Sequence, residues 1–365
     1  MVRRMFIGIM SGTSIDGVDA VLAEESEGGL VLRASASLEF PSGLGAECLA
    51  LNQAGGNEMH RAALAGQAVA RLYADVTQQV LAQAGLAPQA ISAIGAHGQT
   101  VRHRPDVGYT CQLLDGALLA ELAAIPVICD FRSRDIAAGG QGAPLVPAFH
   151  AARFSAPWRR VVLNLGGIAN ITVLPAEGGR VIGFDTGPAN ILLDLWCAKN
   201  TSAPFDKDGA LAASGRPDAD LLGRMLHEPY FAAPPPKSTG RDLFNATWLQ
   251  RHIGTSGLSV ADIQATLLAL TVESVAHGIA LAGAAPHDVL VCGGGASNHA
   301  LMAELTHRLT PTQVASTQSA GVDPMAVEAL AFAWLAQRHL DHAAGNMPAV
   351  TGGRGFRVLG ALYPA

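Results

Sequence analysis

Several familiar signatures are missing from this 365-residue chain. No GxxxxGK[ST] run joins a strand to a helix, which excludes the commonest phosphate loop. No CxxC pair or zinc-type spacing occurs. The five cysteines (Cys48, Cys111, Cys129, Cys197, Cys292) lie far apart and are odd in number, so they read as buried thiols in a reducing compartment. Charged residues make up only 15% and the net charge is −6, which argues against nucleic acid as a partner because phosphate-backbone binding needs a basic face. A basic pocket for a small anion stays compatible with that balance. No apolar run reads as approaching the roughly 20 residues of a bilayer span, so no membrane partner is expected. MVRR followed by FIGIM begins like a signal peptide. Its apolar part is too short, and Asp16 and Asp19 arrive before a cleavage site could. A cytoplasmic protein is the expectation.

What is present points to a large core with many turns. Hydrophobic residues reach 49%, and there are 41 glycines. The length allows two domains. RMFIGIM and VDAVLAE read as strands joined by SGTSIDG, and LVLRASASLEF as a third strand after ESEGG. A helix is predicted from about Asn57 to Gly85, stopped by glycine. Strands AISAIGAHG and YTCQL, the helix DGALLAELAA and the strand IPVICDF follow. Near residue 160 the pattern restarts. VVLNL, the turn GGIAN, ITVL, the turn PAEGG and RVIGFD are followed by a helix from about Pro188 to Asn200. Two halves that open alike suggest a duplicated domain, with lobes at 1–150 and 151–365.

Each half carries a glycine-rich bend inside a hairpin. Either bend alone reads more readily as an ordinary hairpin turn. As a pair, they suit backbone N–H groups and hydroxyls clamping a polyphosphate. The first comprises Gly12, Thr13, Ser14, Ile15, Asp16, Gly17, Val18 and Asp19; the second comprises Asn164, Gly166 and Gly167. Further on, VLVCGGGASNHALMAEL reads as a strand, Gly293, Gly294 and Gly295, then a helix beginning near Asn298. That junction admits a nucleotide against bare backbone. The NAD fingerprint is incomplete, because Asn298 stands where the third glycine belongs. The adenosine end of ATP suits it better than a nicotinamide cofactor does. The triplet Asp185-Thr186-Gly187 invites an aspartic-protease reading, but a single chain of that kind needs a second D-[ST]-G, and none is present.

Taken together, GIMSGTSIDGVD, GAHGQTVRH, DFRSRDIAAGGQGAPLVP, NLGGIANIT, GFDTGPAN, PPPKSTGRDLF and CGGGASN resemble the 1,6-anhydro-N-acetylmuramic acid kinases, within the actin-like and sugar-kinase superfamily. The likeness runs from Gly8 to Glu328. It implies an α/β fold of two ribonuclease-H-like (actin-like ATPase) domains with an ATP cleft between them. It also implies the reaction: ATP, water and the anhydro sugar give N-acetylmuramic acid 6-phosphate and ADP, in recycling of cell-wall (peptidoglycan) sugars. A kinase of the same superfamily acting on an ordinary sugar or small acid is the alternative, and an actin-like nucleotide-switched scaffold is a further one.

That reaction needs a carboxylate to deprotonate water opposite the departing bridge oxygen, as in inverting glycosidases. Asp185, at a strand end, is the candidate, with an ordinary pKa near 3.9 expected. Capping the helix near Pro188 is its other reading. Mg²⁺ is expected with the ATP, held by Asp16 directly or through water. Asp19 reads equally as a turn residue. For the sugar the candidates are His97, Gln99, Thr100 and Arg132, whose guanidinium matches a lactyl carboxylate. A local salt bridge to Asp130 is the other reading of Arg132, and a satisfied strand-end imidazole that of His97. The resemblance further implies that Glu328 faces the substrate as a catalytic acid residue, although an acid there also suits a helix N-terminus. Lys237 and Arg241 read as the edge of a Pro-rich lid. The oligomeric state stays open, a homodimer included.

Overall fold

The computed structural model describes residues 3–12, 15, 17–254 and 256–365. They form two compact units, Met1–Arg153 with Ala326–Ala365, and Phe154–Met325. In the first, β1 (Met5–Ser11), β2 (Gly17–Ser26) and β3 (Gly29–Glu39) make an antiparallel meander. The helix Glu58–Ala84 follows, ended by Gly85 in the left-handed region at φ 65°. There the Leu86 N–H reaches back to the Leu81 carbonyl, a glycine cap of the kind expected from the sequence. Next come β4 (Ala93–Ala96), a separate hairpin of β5 (Gln99–Arg104) and β6 (Tyr109–Leu113), and β7 (Val127–Cys129). β4 lies parallel to β1, and β7 parallel to β4.

The second unit repeats the plan. β8 (Arg160–Leu165), β9 (Ile168–Leu174) and β10 (Ile182–Pro188) form a meander, and β11 (Asp288–Cys292) and β12 (Gln313–Ser316) continue the sheet in parallel. Its order is β10-β9-β8-β11-β12, matching β3-β2-β1-β4-β7 in the first unit. Three antiparallel strands plus two parallel crossovers is the ribonuclease-H arrangement, present twice. In both sheets the carboxyl ends of the parallel strands fall on one edge, where open α/β sheets bind ligands.

The division at 150 needs correction. The chain does not stay in the second unit to its end, because residues from Ala326 onward return to the first. The cause is visible in two glycines. A Cβ on Gly8 of β1 would stand 1.9 Å from the Ala329 carbonyl oxygen, and one on Gly95 of β4 would stand 2.0 Å from that of Phe332. The helix Val327–Leu340 thus lies directly on bare backbone. It buries Leu330, Phe332 and Leu335, each contributing about 1.5–3 kcal/mol. β13 (Ala361–Tyr363) then adds to the free edge of β7.

The expectation that no run approaches membrane-span length also needs correction. The helix Val260–Leu281 has 22 residues and is apolar enough by composition to cross a bilayer. Most of its apolar window is buried inside the second unit instead. Ser259 starts it with a reciprocal cap: its Oγ accepts the Asp262 N–H at 3.1 Å and donates to Oδ2 of Asp262 at 2.7 Å.

Candidate active site

In the first unit, one edge gathers the ends of β1, β4 and β7. Ser11 closes β1, and its Oγ shares a buried 2.7 Å hydrogen bond with the Tyr73 hydroxyl. Beyond it the Gly12 carbonyl accepts from the Ile15 N–H at 3.3 Å and from Nε2 of Gln99 at 3.1 Å. Ile15 sits in the left-handed region at φ 58°. Thr13, Ser14 and Asp16, the expected hydroxyls and metal ligand, lie outside the described residues. Gly17 and Val18 open β2, with the Val18 side chain buried in the core and not offered to a ligand. The Asp19 carboxylate accepts from the Ser37 hydroxyl of β3 at 2.5 Å.

His97 follows β4 and is buried. Its Nδ1 donates to the Ser11 carbonyl at 3.2 Å, while Nε2 accepts from Nε and Nη2 of Arg132 at 3.2 and 2.9 Å. The imidazole is therefore neutral. Burial first, and the neighbouring guanidinium second, hold its pKa well below the ordinary range. Both nitrogens are engaged, so His97 orients Arg132 and the β1 end and has no ring nitrogen left for a ligand.

Arg132, after β7, also donates from Nη1 to the Gly142 carbonyl at 2.9 Å. These bonds, rather than Asp130, take its donors; Asp130 accepts from Ser133 instead. Burial draws its pKa down to about 10, opposed by the charge of Glu328. Glu328 occupies the first turn of the helix Val327–Leu340, where the dipole favours an acid. Gln99 is fully buried, and its Oε1 has no hydrogen-bond partner among the described residues. An orphaned amide oxygen beside a glycine bend is an acceptor waiting for a donor. Thr100 Oγ1 accepts from Gln112 at 3.2 Å.

In the second unit the register aligns Asp185 with Asn170, Asn170 with Asn164, and Asn164 with Cys292, one row across β10, β9, β8 and β11. Two strand spacings put Asp185 about 10 Å from Asn164. The turn Gly166–Gly167 follows Asn164, and its carbonyls face the helix Asn190–Asn200. Gly166 accepts from Asn190 N–H at 3.1 Å, and Gly167 from Ala189 and Ile191, each at 3.0 Å. A trans peptide points its N–H opposite its C=O, so the Gly167 amide faces away from that helix. The Gly293 junction abuts this turn: a Cβ there would stand 2.4 Å from Oδ1 of Asn164. After Gly293 a short turn, Gly294–Ser297, precedes the helix His299–Arg308, which Asn298 caps. The two glycine elements of this unit are thus one continuous patch of backbone.

Asp185 is partly buried at a bulge in β10. Its Oδ2 accepts the Thr239 N–H at 3.0 Å, its own N–H donates to the Lys237 carbonyl at 3.2 Å, and its carbonyl accepts the Tyr230 hydroxyl at 2.6 Å. It does not cap the following helix, whose N-cap is Ala189 without a side-chain bond. Nor is its pKa ordinary. Burial pushes the carboxyl up to about 6, only partly offset by the Thr239 N–H. Thr186 turns into the core, where a Cβ on Gly278 would meet its Cγ2 at 2.5 Å. Lys237 is not a solvated lid edge. Its Nζ donates to the Tyr230 and Phe231 carbonyls, each at 3.0 Å, and stands 4.7 Å from the Tyr230 ring centroid. Arg241, by contrast, is exposed.

The supporting residues Tyr73, Tyr230 and Thr239 escaped the sequence reading. Their partners are 45 to 62 positions away, and no local spacing marks them. Among the described residues no three of His, Cys, Asp or Glu cluster to hold a metal ion.

Asp185 at a strand end, glycine-rich stretches in each unit and Arg132 after β7 lie in the motifs that carry the likeness. The family model for anhydro-N-acetylmuramic acid kinase matches residues 4–365. The chain belongs to that family. Relatives bearing the anhydro-N-acetylmuramic acid kinase name include one from Bordetella pertussis (strain Tohama I), 58% identical over 99% of this chain and 96% of its own. Another, from Variovorax paradoxus (strain S110), is 52% identical over the whole of both chains. A third, from Cupriavidus pinatubonensis, is 53% identical over 98% of each.

Proposed function

We propose that this protein uses ATP and water to open 1,6-anhydro-N-acetylmuramic acid and phosphorylate O6, releasing N-acetylmuramic acid 6-phosphate and ADP in the recycling of cell-wall sugars. The observation that carries the chemistry is Asp185, a strand-end carboxylate held by a backbone N–H and raised to about 6. At neutral pH such a group is still mostly ionised, yet it accepts a proton far more readily than an ordinary aspartate. Thr239 occupies Oδ2, which leaves Oδ1 to take the proton of water. The water oxygen bonds to C1 as the C1–O6 bond breaks. O6 keeps that electron pair and attacks the γ-phosphorus, and ADP departs. Water, phosphoryl group and proton all balance.

The remaining assignments follow from chemistry. Arg132 takes the lactyl carboxylate, Gln99 Oε1 accepts from a sugar donor, and Glu328 faces the sugar. Thr100 supports Gln99. The first bend and the Gly166–Gly167 turn supply backbone donors to the triphosphate, and Gly293–Gly295 borders the adenosine. Phosphoryl transfer depends mainly on such positioning and charge neutralisation. Mg²⁺ would supply part of that neutralisation, and Asp16 is the residue to hold it. Five free cysteines and a need for ATP suit the cytoplasm.

A coupled assay tests this reading. ADP release stimulated by anhydro-N-acetylmuramate and not by glucose supports it; the reverse would make the protein an ordinary sugar kinase. Because Asp185 must be ionised, kcat should fall below pH about 6 with a slope of one proton. A flat profile from pH 7 to 5 would remove Asp185 from the role of base.

Lys237 gives a further expectation. Replacing it with methionine frees the loop whose Thr239 N–H lowers the Asp185 pKa. We expect kcat to drop about tenfold and the acid limb to move to higher pH. An unshifted limb would mean that Lys237 only stiffens the fold.

A further inference from the structure

Asp135 lies in the one-turn helix Ser133–Ala137 and is fully buried, at a position the reaction does not use directly. Three donors converge on it. Its Oδ2 accepts the Gly142 N–H at 2.9 Å, and its Oδ1 accepts from Asn346 Nδ2 at 2.7 Å and from Thr351 Oγ1 at 2.8 Å. The surroundings are shaped to this carboxylate. A Cβ on Gly140 would stand 2.2 Å from Oδ2, and one on Gly353 would stand 3.1 Å from Oδ1. A buried carboxylate is costly unless its oxygens are satisfied, so this convergence demands an explanation.

The contacts lead to Arg132. Gly142, whose N–H is held by Asp135, offers its carbonyl to Arg132 Nη1 at 2.9 Å. Gly142 itself has little freedom. It sits at φ 66°, and a Cβ there would meet Ile136 Cγ1 at 2.8 Å. On the opposite side, His97 Nε2 accepts from Nε and Nη2. The guanidinium is therefore gripped at two places by groups that cannot follow it. Of its five N–H groups, these bonds use one on Nε, one on Nη2 and one on Nη1. One N–H on each terminal nitrogen is left for a carboxylate, with the charge of Glu328 nearby.

We propose that Asp135 is a positioning residue for substrate choice: through Gly142 it fixes the Arg132 guanidinium in the orientation that takes the lactyl carboxylate. This rests on the reading of Arg132 given under the proposed function. It also gives the returning segment a task, since Asn346 and Thr351 hold Asp135 from the far end of the chain.

The test compares two acceptors, anhydro-N-acetylmuramate and the anhydro-N-acetylglucosamine analogue without the lactyl group. In Asp135→Asn, an NH₂ replaces one acceptor oxygen. The KM for the muramate should rise about tenfold, the KM for ATP should stay within about twofold, and the preference for the lactyl sugar should fall by the same factor as the first. Thr351→Val, which removes one donor with little change of shape, should move the preference the same way by about threefold, and decides the matter if Asp135→Asn does not fold. Arg132→Gln separates the two claims. If it abolishes the preference while Asp135→Asn and Thr351→Val leave it intact, the positioning role is overturned and the Arg132 reading stands. If Arg132→Gln itself keeps the preference, both fall.

Discussion

Asp185→Asn should lower kcat by about 10²–10⁴-fold, the range lost when a general base is removed, with KM for ATP and sugar changed only a few-fold. The same substitution should stabilise the protein. Its carboxyl is raised from 3.8 to about 6 in the folded chain, so the native state binds the proton more tightly than the unfolded one. Ionising it costs nothing below the unfolded value; the cost grows as pH rises through this window and is complete above about 6. At 1.36 kcal/mol per unit the ceiling is about 3 kcal/mol, and partial exposure reduces it to about 1–2. Asparagine avoids that cost, because its Oδ1 still accepts the Thr239 N–H. Thermal unfolding at pH 7.5 and pH 4 should therefore show Asp185→Asn gaining at the higher pH and matching the parent at the lower. Near-parental turnover, or a loss of stability at both values, would contradict the assignment.

Gly95→Ala should have a large effect on the fold. Its new methyl would sit 2.0 Å from the Phe332 carbonyl oxygen and 2.8 Å from the carbonyl carbon. Backbone atoms of a packed helix cannot step aside as a flexible side chain does, so the helix Val327–Leu340 must lift from β4. Phe332, whose ring lies 4.9 Å from that of His97 and 5.6 Å from that of Phe131, would lose its packing. We expect a loss of 4 kcal/mol or more, in the exceptional class for single substitutions. Chemical denaturation measures it. An unfolding free energy within about 0.5 kcal/mol of the parent would show that the helix does not approach the sheet so closely.

The periodic features were legible in the sequence. The two meanders, the helix stopped at Gly85 and the repeat near residue 160 all follow from alternation and glycine placement. The return of Ala326–Ala365 to the first unit was not legible. It depends on Gly8 and Gly95 facing a helix more than two hundred residues away, and a strand glycine looks the same whether it meets a helix or a bulge. The candidate site divides in the same way. Asp185 and Arg132 were singled out because their chemistry shows in their side chains and motifs. The raised pKa of Asp185 was missed, because desolvation belongs to the folded environment and not to the residue. Lys237 was taken for a lid edge because a lysine among prolines reads as solvated. Its ammonium is instead lodged against Tyr230 and two carbonyls. Asp135 was passed over because its three donors come from residues 142, 346 and 351.

The most direct measurement is to run the reaction with Mg·ATP and anhydro-N-acetylmuramate in ¹⁸O-enriched water and locate the label by mass spectrometry. One ¹⁸O at C1 of a 6-phosphorylated sugar, with none in the phosphoryl group, is the predicted result. Label in the phosphate, or a phosphorylated sugar whose 1,6-bridge is intact and unlabelled, would contradict a water primed at the end of β10.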